Sequence, residues 1–134
     1  MDVTGSCHCG FLAFKATVEP GTAIVCHCTD CQKLSGSAFR WTIPSVAGAF
    51  AFTAGEPTVY VKTAESGNPR VQAFCPKCGT QIYSSPVKGE NMVHRIRVGT
   101  IDQRGELTPT LQRWNRSRLD WLSELEEIEA RQTV

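Results

Sequence analysis

Apolar residues along this chain recur mainly at every second position, not at helical spacing. In FLAFKATVE, Leu12, Phe14, Ala16 and Val18 alternate with the more polar Lys15, Thr17 and Glu19, the pattern of a half-buried strand that the following PG terminates. TAIVC, AFRWTI, AFAFTA, TVYVKT, VQAFC and MVHRIRVGTI read as further strands, separated by the turn-forming AGEP, ESGNP and SSPVKGEN. In the last of these, Met92, His94, Ile96 and Val98 share an apolar phase, and Arg95 and Arg97 take the opposite one. Short strands between turns predict an all-β fold of sandwich or barrel-like type.

Two segments break the alternation. TDCQKLSG, directly after Cys28, predicts a short helical turn that starts near Thr29 or Asp30 and stops at Gly36. Cys31 would then lie close to a helix N-terminus, where free amides and the dipole stabilise a thiolate. The tail SRLDWLSELEEIEARQ repeats Leu119, Leu122, Leu125 and Ile128 at three-residue spacing. That spacing predicts a C-terminal helix with a narrow apolar stripe packed on the sheet and an acidic face in solvent.

A length of 134 residues fits one domain, spanning 1–134, large enough for a real core but small enough for a metal staple to matter. With 41% hydrophobic and 20% charged residues the composition is that of a soluble globular protein. A formal net charge of +1, with neither a basic stripe nor clustered aromatics, argues against nucleic acid or an anionic membrane as partner. The opening MDVTGSCHCG has no basic segment followed by an apolar run, and no apolar stretch is long enough to span a bilayer, so the expected location is cytoplasmic.

The seven cysteines change the picture most, because all fall in CHC, CHCTDC and CPKC. An odd number at such tight spacing argues against a disulfide framework, since Cys-x-Cys neighbours do not meet disulfide geometry. Clustered thiolates with Cys-x-x-Cys repeats point to zinc. One division pairs Cys7 and Cys9 with Cys75 and Cys78 in a closed four-ligand site and leaves Cys26, Cys28 and Cys31 as a group of three. A competing division joins Cys28 and Cys31 to Cys75 and Cys78 as a zinc ribbon. In FCPKCGT, the turn after the first cysteine and Gly79 after the second form the knuckle of many structural zinc sites.

Candidates to complete the group of three are few. His27 and His8 are each enclosed by two cysteines and point away from a shared ion, His94 faces the apolar side of its strand, and Asp30 is explained by the helix start. A position open to water or substrate is the favoured reading. Three thiolates outweigh the charge of zinc and weaken it as a generator of hydroxide, but they leave it suited to one more soft ligand. A substrate thiol loses its proton there and becomes a positioned nucleophile, so the expected partners are a small-molecule thiol and an electrophile.

These residues resemble the glutathione-dependent formaldehyde-activating family, whose members include the centromere protein V relatives. The resemblance is carried by GSCHCG, CHCTDCQKLSGSAF, GEPTVY, FCPKCGTQIYSS, and VGTID followed by Pro109 and Trp121, and it spans most of the chain. It implies a zinc-bearing β-tent fold of several short antiparallel sheets, with two zinc ions per chain. Cys7, Cys9, Cys75 and Cys78 would hold the structural ion, and Cys26, Cys28 and Cys31 the catalytic one. It implies a carbon–sulfur lyase-type enzyme that adds glutathione to formaldehyde, giving S-(hydroxymethyl)glutathione. Gln32, Lys33, Ser35 and Ser37 follow the cluster, where they would either orient substrate or form helix surface and turn; Arg95 and Arg97 would either meet glutathione carboxylates or remain solvated. The competing function is a non-catalytic zinc-binding module for protein interactions, with both metals structural.

Overall fold

The computed structural model describes residues 1–64 and 66–134. Along them run strands β1 (Asp2–Ser6), β2 (Ala13–Val18) and β3 (Ile24–Cys26), helix α1 (Thr29–Ser35), then β4 (Arg40–Ala54), β5 (Thr58–Thr63), β6 (Pro69–Phe74), β7 (Gln81–Pro86), β8 (Arg95–Arg97) and β9 (Leu111–Arg113). The fold is mostly β, and the strands join in one open, largely antiparallel network in the order β1-β2-β4-β8-β7-β6-β5. β3 pairs antiparallel with β4 on one side and parallel with β9 on the other.

β4 is the hub. The segments AFRWTI and AFAFTA, expected as two strands, form this single 15-residue strand, whose first part pairs with β3 and β8 and whose second part pairs with β2. Register shifts between Ala13 and Phe14 and between Ala16 and Val18 mark bulges that let one strand serve two directions of the sheet. β1, β7 and β9 lie where no strand was expected. Ser84, Ser85 and Pro86, read as the start of a turn, instead extend β7, because β6 supplies pairing partners along it. The turn at ESGNP includes Glu65, which lies outside the described residues.

Alternation places the core on one face. Leu12, Phe14, Val18, Ile43, Ile82, Ile96, Val98, Ile101 and Leu107 are fully buried together, and Phe50, Phe52 and Tyr83 pack against them. Each such aliphatic or aromatic side chain contributes about 1.5–3 kcal/mol by leaving water. Ile96 to alanine would therefore cost about 2–5 kcal/mol through the cavity it leaves. His94 belongs to this layer, its ring stacked on Phe50 at 4.8 Å and edge-on to Tyr83 at 4.6 Å.

The C-terminal segment is helical, but it is wound as 3-10 turns over Asp120–Glu127 with a break at Glu124. Its hydrogen bonds run from Leu122 N–H to Leu119 O and from Ile128 N–H to Leu125 O, the three-residue reach that matches the sequence spacing. The apolar stripe does not bury itself on the sheet: Leu119, Leu125 and Ile128 are exposed, and Leu122 is half-buried. Among the described residues, no helix is long and apolar enough to cross a membrane.

Candidate metal centres and the cavity beside them

The fold gathers the seven cysteines as four and three. Sulfurs of Cys7, Cys9, Cys75 and Cys78 lie within 4.8 Å of one another, and so do those of Cys26, Cys28 and Cys31. The ribbon pairing of Cys28 and Cys31 with Cys75 and Cys78 is not formed. All seven are free thiols.

In the first group the chain between β1 and β2 meets the turn between β6 and β7. Cys7 and Cys9 sulfurs are 3.6 Å apart and Cys9 and Cys75 sulfurs 3.8 Å. Those separations fit the edge of a sulfur tetrahedron about 3.8 Å long, which follows from a zinc–sulfur bond of about 2.3 Å. Backbone amides already point at the sulfurs: Leu12 N–H donates to Cys7 at 3.2 Å, and Lys77 and Cys78 N–H to Cys75 at 3.4 and 3.5 Å. Gly79 makes the knuckle possible, because its φ of 77° lies where other residues are strained. Hydrogen bonding from the Thr80 hydroxyl, then from backbone, holds the Cys78 thiol down to about 5.

In the second group β3 and α1 supply the ligands. Cys26 ends β3, and Cys28 is the N-cap of α1, its sulfur accepting from Cys31 N–H at 3.3 Å. The helix therefore starts at Thr29, as expected, with Cys28 as its cap. Gly36, with φ 62°, closes the helix, its N–H reaching the carbonyls of Gln32 and Lys33. A hydrogen bond from the Cys31 thiol lowers Cys26 to about 5, against burial, and the same contact with burial pushes Cys31 up. Three sulfurs this close fit a soft cation.

No imidazole or carboxylate joins these three among the described residues. His27 is buried with Nε2 at 2.8 Å from Gln112 Oε1 and its ring edge-on to Phe39. His94 is held in the core, and burial lowers its pKa. Asp30 is taken by Lys62 at 2.6 Å. Gln32 does not face a substrate either: its amide donates to the carbonyls of His27 at 2.8 Å and Ser117 at 3.0 Å, tying α1 to the 115–117 turn. Ser35 bonds backbone, and neither it nor Lys33 or Ser37 reaches the cavity wall.

The three cysteines open onto a cavity of about 660 Å³. Sheet register explains its lining, since residues opposite one another share a face. Cys26 stands opposite Arg40 on one side and Arg113 on the other; Lys62 faces Arg70, and Ser84 faces Arg95. Arg97 lies on the same face as Arg95 but is buried, donating to Gln72 Oε1 at 2.8 Å, and burial holds its pKa down to about 9. At the rim Trp114 adopts φ 56°, a strained value for this residue, and the Arg116 guanidinium stacks 4.8 Å from its ring. Of this cationic wall the sequence pointed only to Arg95, since Arg97, its companion in that reading, is buried behind it. Arg40 and Arg70 occupy the polar phase of their strands, and that alternation was the available signal. A second cavity, of about 490 Å³ against β1, β2 and β4, contains neither cysteine nor arginine.

Comparison with family models matches residues 2–117 to the glutathione-dependent formaldehyde-activating enzyme family. The chain belongs to that family. The match takes in every cysteine of both groups and the cavity wall through Ser117, and it stops before the exposed 3-10 tail. A Rhodobacter sphaeroides protein of known crystal structure shares the fold, with a TM-score of 0.60 and 15% identity over 81% of this chain and 98% of that one. No curated protein matches by sequence. Family membership and the two thiol clusters, either of which could hold a metal ion, converge on thiol chemistry.

Proposed function

We propose that this chain, acting as a single domain, is a zinc-dependent enzyme of carbon–sulfur lyase type. It adds glutathione or a similar thiol to formaldehyde or another small aldehyde. Cys7, Cys9, Cys75 and Cys78 would hold a structural zinc, and Cys26, Cys28 and Cys31 a catalytic one. The observation that carries this reading is the three-cysteine group, joined by no other ligating residue among those described, at the wall of a cation-lined cavity. Zinc bound there would supply a place where a substrate thiol ionises at neutral pH.

The chain's own residues do the rest. In the addition, sulfur bonds to the carbonyl carbon, the carbonyl π pair moves to oxygen, and the proton given up by the thiol ends on that oxygen. Arg40, across from Cys26 and with its Nε buried and unpartnered, offers positive charge where the oxygen gains electrons. Arg95 and Arg113 are suited to hold carboxylates of the thiol by paired hydrogen bonds. Gln32 keeps the 115–117 turn against α1 and so fixes the cavity's outer wall. Seven free thiols suit a reducing, cytoplasmic setting.

The test is exchange spectroscopy with isotopically labelled formaldehyde and glutathione. The zinc-loaded chain should speed exchange between free and glutathione-bound formaldehyde above the spontaneous rate, and Cys28→Ser should not. Equal exchange with both proteins would remove the proposal. The exposed Leu119, Leu125 and Ile128 of the tail stripe favour the second reading, a zinc module for protein interactions, in which the zinc-loaded chain leaves the exchange at its spontaneous rate.

A further inference from the structure

Trp114 stands at the rim of the three-cysteine cavity in a conformation that its own chemistry disfavours. Its φ of 56° and ψ of 42° are left-handed, where a bulky side chain crowds the backbone. Glycine or asparagine would sit there with less strain. Packing does not offset the cost, since Trp114 is 43% exposed. A tryptophan favoured neither by its backbone nor by burial points to a use outside the fold.

The turn that carries it is held from both ends. Before it, His27 N–H donates to the Arg113 carbonyl at 3.0 Å; after it, the Gln32 amide donates to the Ser117 carbonyl at 3.0 Å. Within it, Ser117 N–H donates to the Trp114 carbonyl at 3.0 Å. His27 lies between Cys26 and Cys28, and Gln32 follows Cys31, so the segment that supplies the three sulfurs also fixes the indole relative to them. Trp114 and Arg116 line the same cavity as those cysteines. The Arg116 guanidinium stacks 4.8 Å from the indole, and a guanidinium stacked on a ring keeps its in-plane N–H donors for a carboxylate.

We propose that Trp114 and Arg116 are the specificity-determining pair for glutathione. The indole is the platform on which the peptide chain lies when the sulfur is at Cys26, Cys28 and Cys31, and Arg116 holds the glycine carboxylate. That carboxylate has no ammonium beside it, unlike the one at the γ-glutamyl end, and so suits a single guanidinium. This rests on reading the three-cysteine cavity as a thiol site and deepens it: the cysteine group accepts a thiol, and the Trp114–Arg116 pair selects glutathione among thiols.

Isothermal titration of the zinc-loaded full chain with glutathione, and with 2-mercaptoethanol read by displacement of glutathione, tests it. Trp114→Gly should weaken glutathione about tenfold and 2-mercaptoethanol by less than about twofold. Its Tm should equal or exceed that of the unaltered chain, because glycine relieves the strain. Trp114→Phe keeps a ring on the same backbone and should bind glutathione within about threefold of the unaltered chain. Arg116→Gln should weaken glutathione about fivefold but scarcely change binding of its glycine ethyl ester. An equal loss for acid and ester overturns the assignment of Arg116. Glutathione bound as tightly by Trp114→Gly as by the unaltered chain, or a marked fall in the Tm of that variant, overturns the proposal while the thiol site stands. So does an equal loss for both thiols, which would place the effect at the cysteine group. Binding of neither thiol by the unaltered chain removes the thiol site and the proposal together.

Discussion

The two cysteine groups use the same atom and differ in what surrounds it. Around Cys7, Cys9, Cys75 and Cys78 the partners are local: backbone amides of Leu12, Lys77 and Cys78 and the hydroxyl of Thr80 point at the sulfurs. Around Cys26, Cys28 and Cys31 they are distant in sequence, since Arg40 and Arg113 arrive through strand register. Four ligands with their own hydrogen bonds make a closed set, fitted to holding the fold together. Three ligands at a cationic cavity make an incomplete set, fitted to receiving something. On the proposed assignment, the number of sulfurs and the nature of their neighbours, more than ligand chemistry, separate a staple from a site.

The sharpest way to break the contrast is to damage the closed group. Cys75 is buried and accepts two amides, so Cys75→Ser should release one zinc per chain and cost more than about 4 kcal/mol of stability, seen as a large fall in Tm. If thermal melting barely moves, the closed group is not structural. Cys28→Ser should act the other way round. Serine is a good N-cap, so α1 is kept and Tm falls little, whereas catalysed exchange drops on the order of a hundredfold or more. A Tm loss as large as that of Cys75→Ser would erase the distinction between the groups.

Smaller effects should come from residues outside both clusters. Burial lowers the His94 pKa below its ordinary 6.5, so the folded state prefers neutral imidazole. The unfolded chain then binds more protons just below that value, and stability present above pH 6.5 is lost as pH falls through it toward the lowered folded value. His94→Phe should flatten the fall in Tm between about pH 7.5 and 5.5. An unchanged slope would mean that other groups govern acid sensitivity. Removal of residues 119–134 should change Tm and zinc content least, by about 1 kcal/mol or less, because the tail's apolar side chains are exposed and the family match ends at 117. A large loss would show that the tail supports the cavity wall.

Much of this was legible in the residues. Alternation located β2, β5 and β6, the phase of His94 and Ile96 against Arg95 and Arg97 gave the two faces of β8, and cysteine spacing offered the four-plus-three division beside one rival. What escaped reading depends on pairing between distant segments. β9 is three residues long and exists because β3 lies beside it, and the polar Ser84 and Ser85 of β7 are buried by neighbours that sequence does not display. The tail's stripe was visible, but a three-residue period belongs to a 3-10 turn as readily as to an α-helix face, and nothing in it says what it packs against. The arginine wall was hidden most completely. A net charge of +1 describes the whole chain and conceals cations drawn together from positions 40 to 116.

X-ray absorption at the zinc edge tests the incomplete shell most directly. With both groups loaded, the mean number of sulfurs per zinc should be about 3.5, midway between the four and three thiols of the two groups, and should rise to about 4 when a substrate thiol is added. A count that no thiol alters would contradict an accessible position beside Cys26, Cys28 and Cys31.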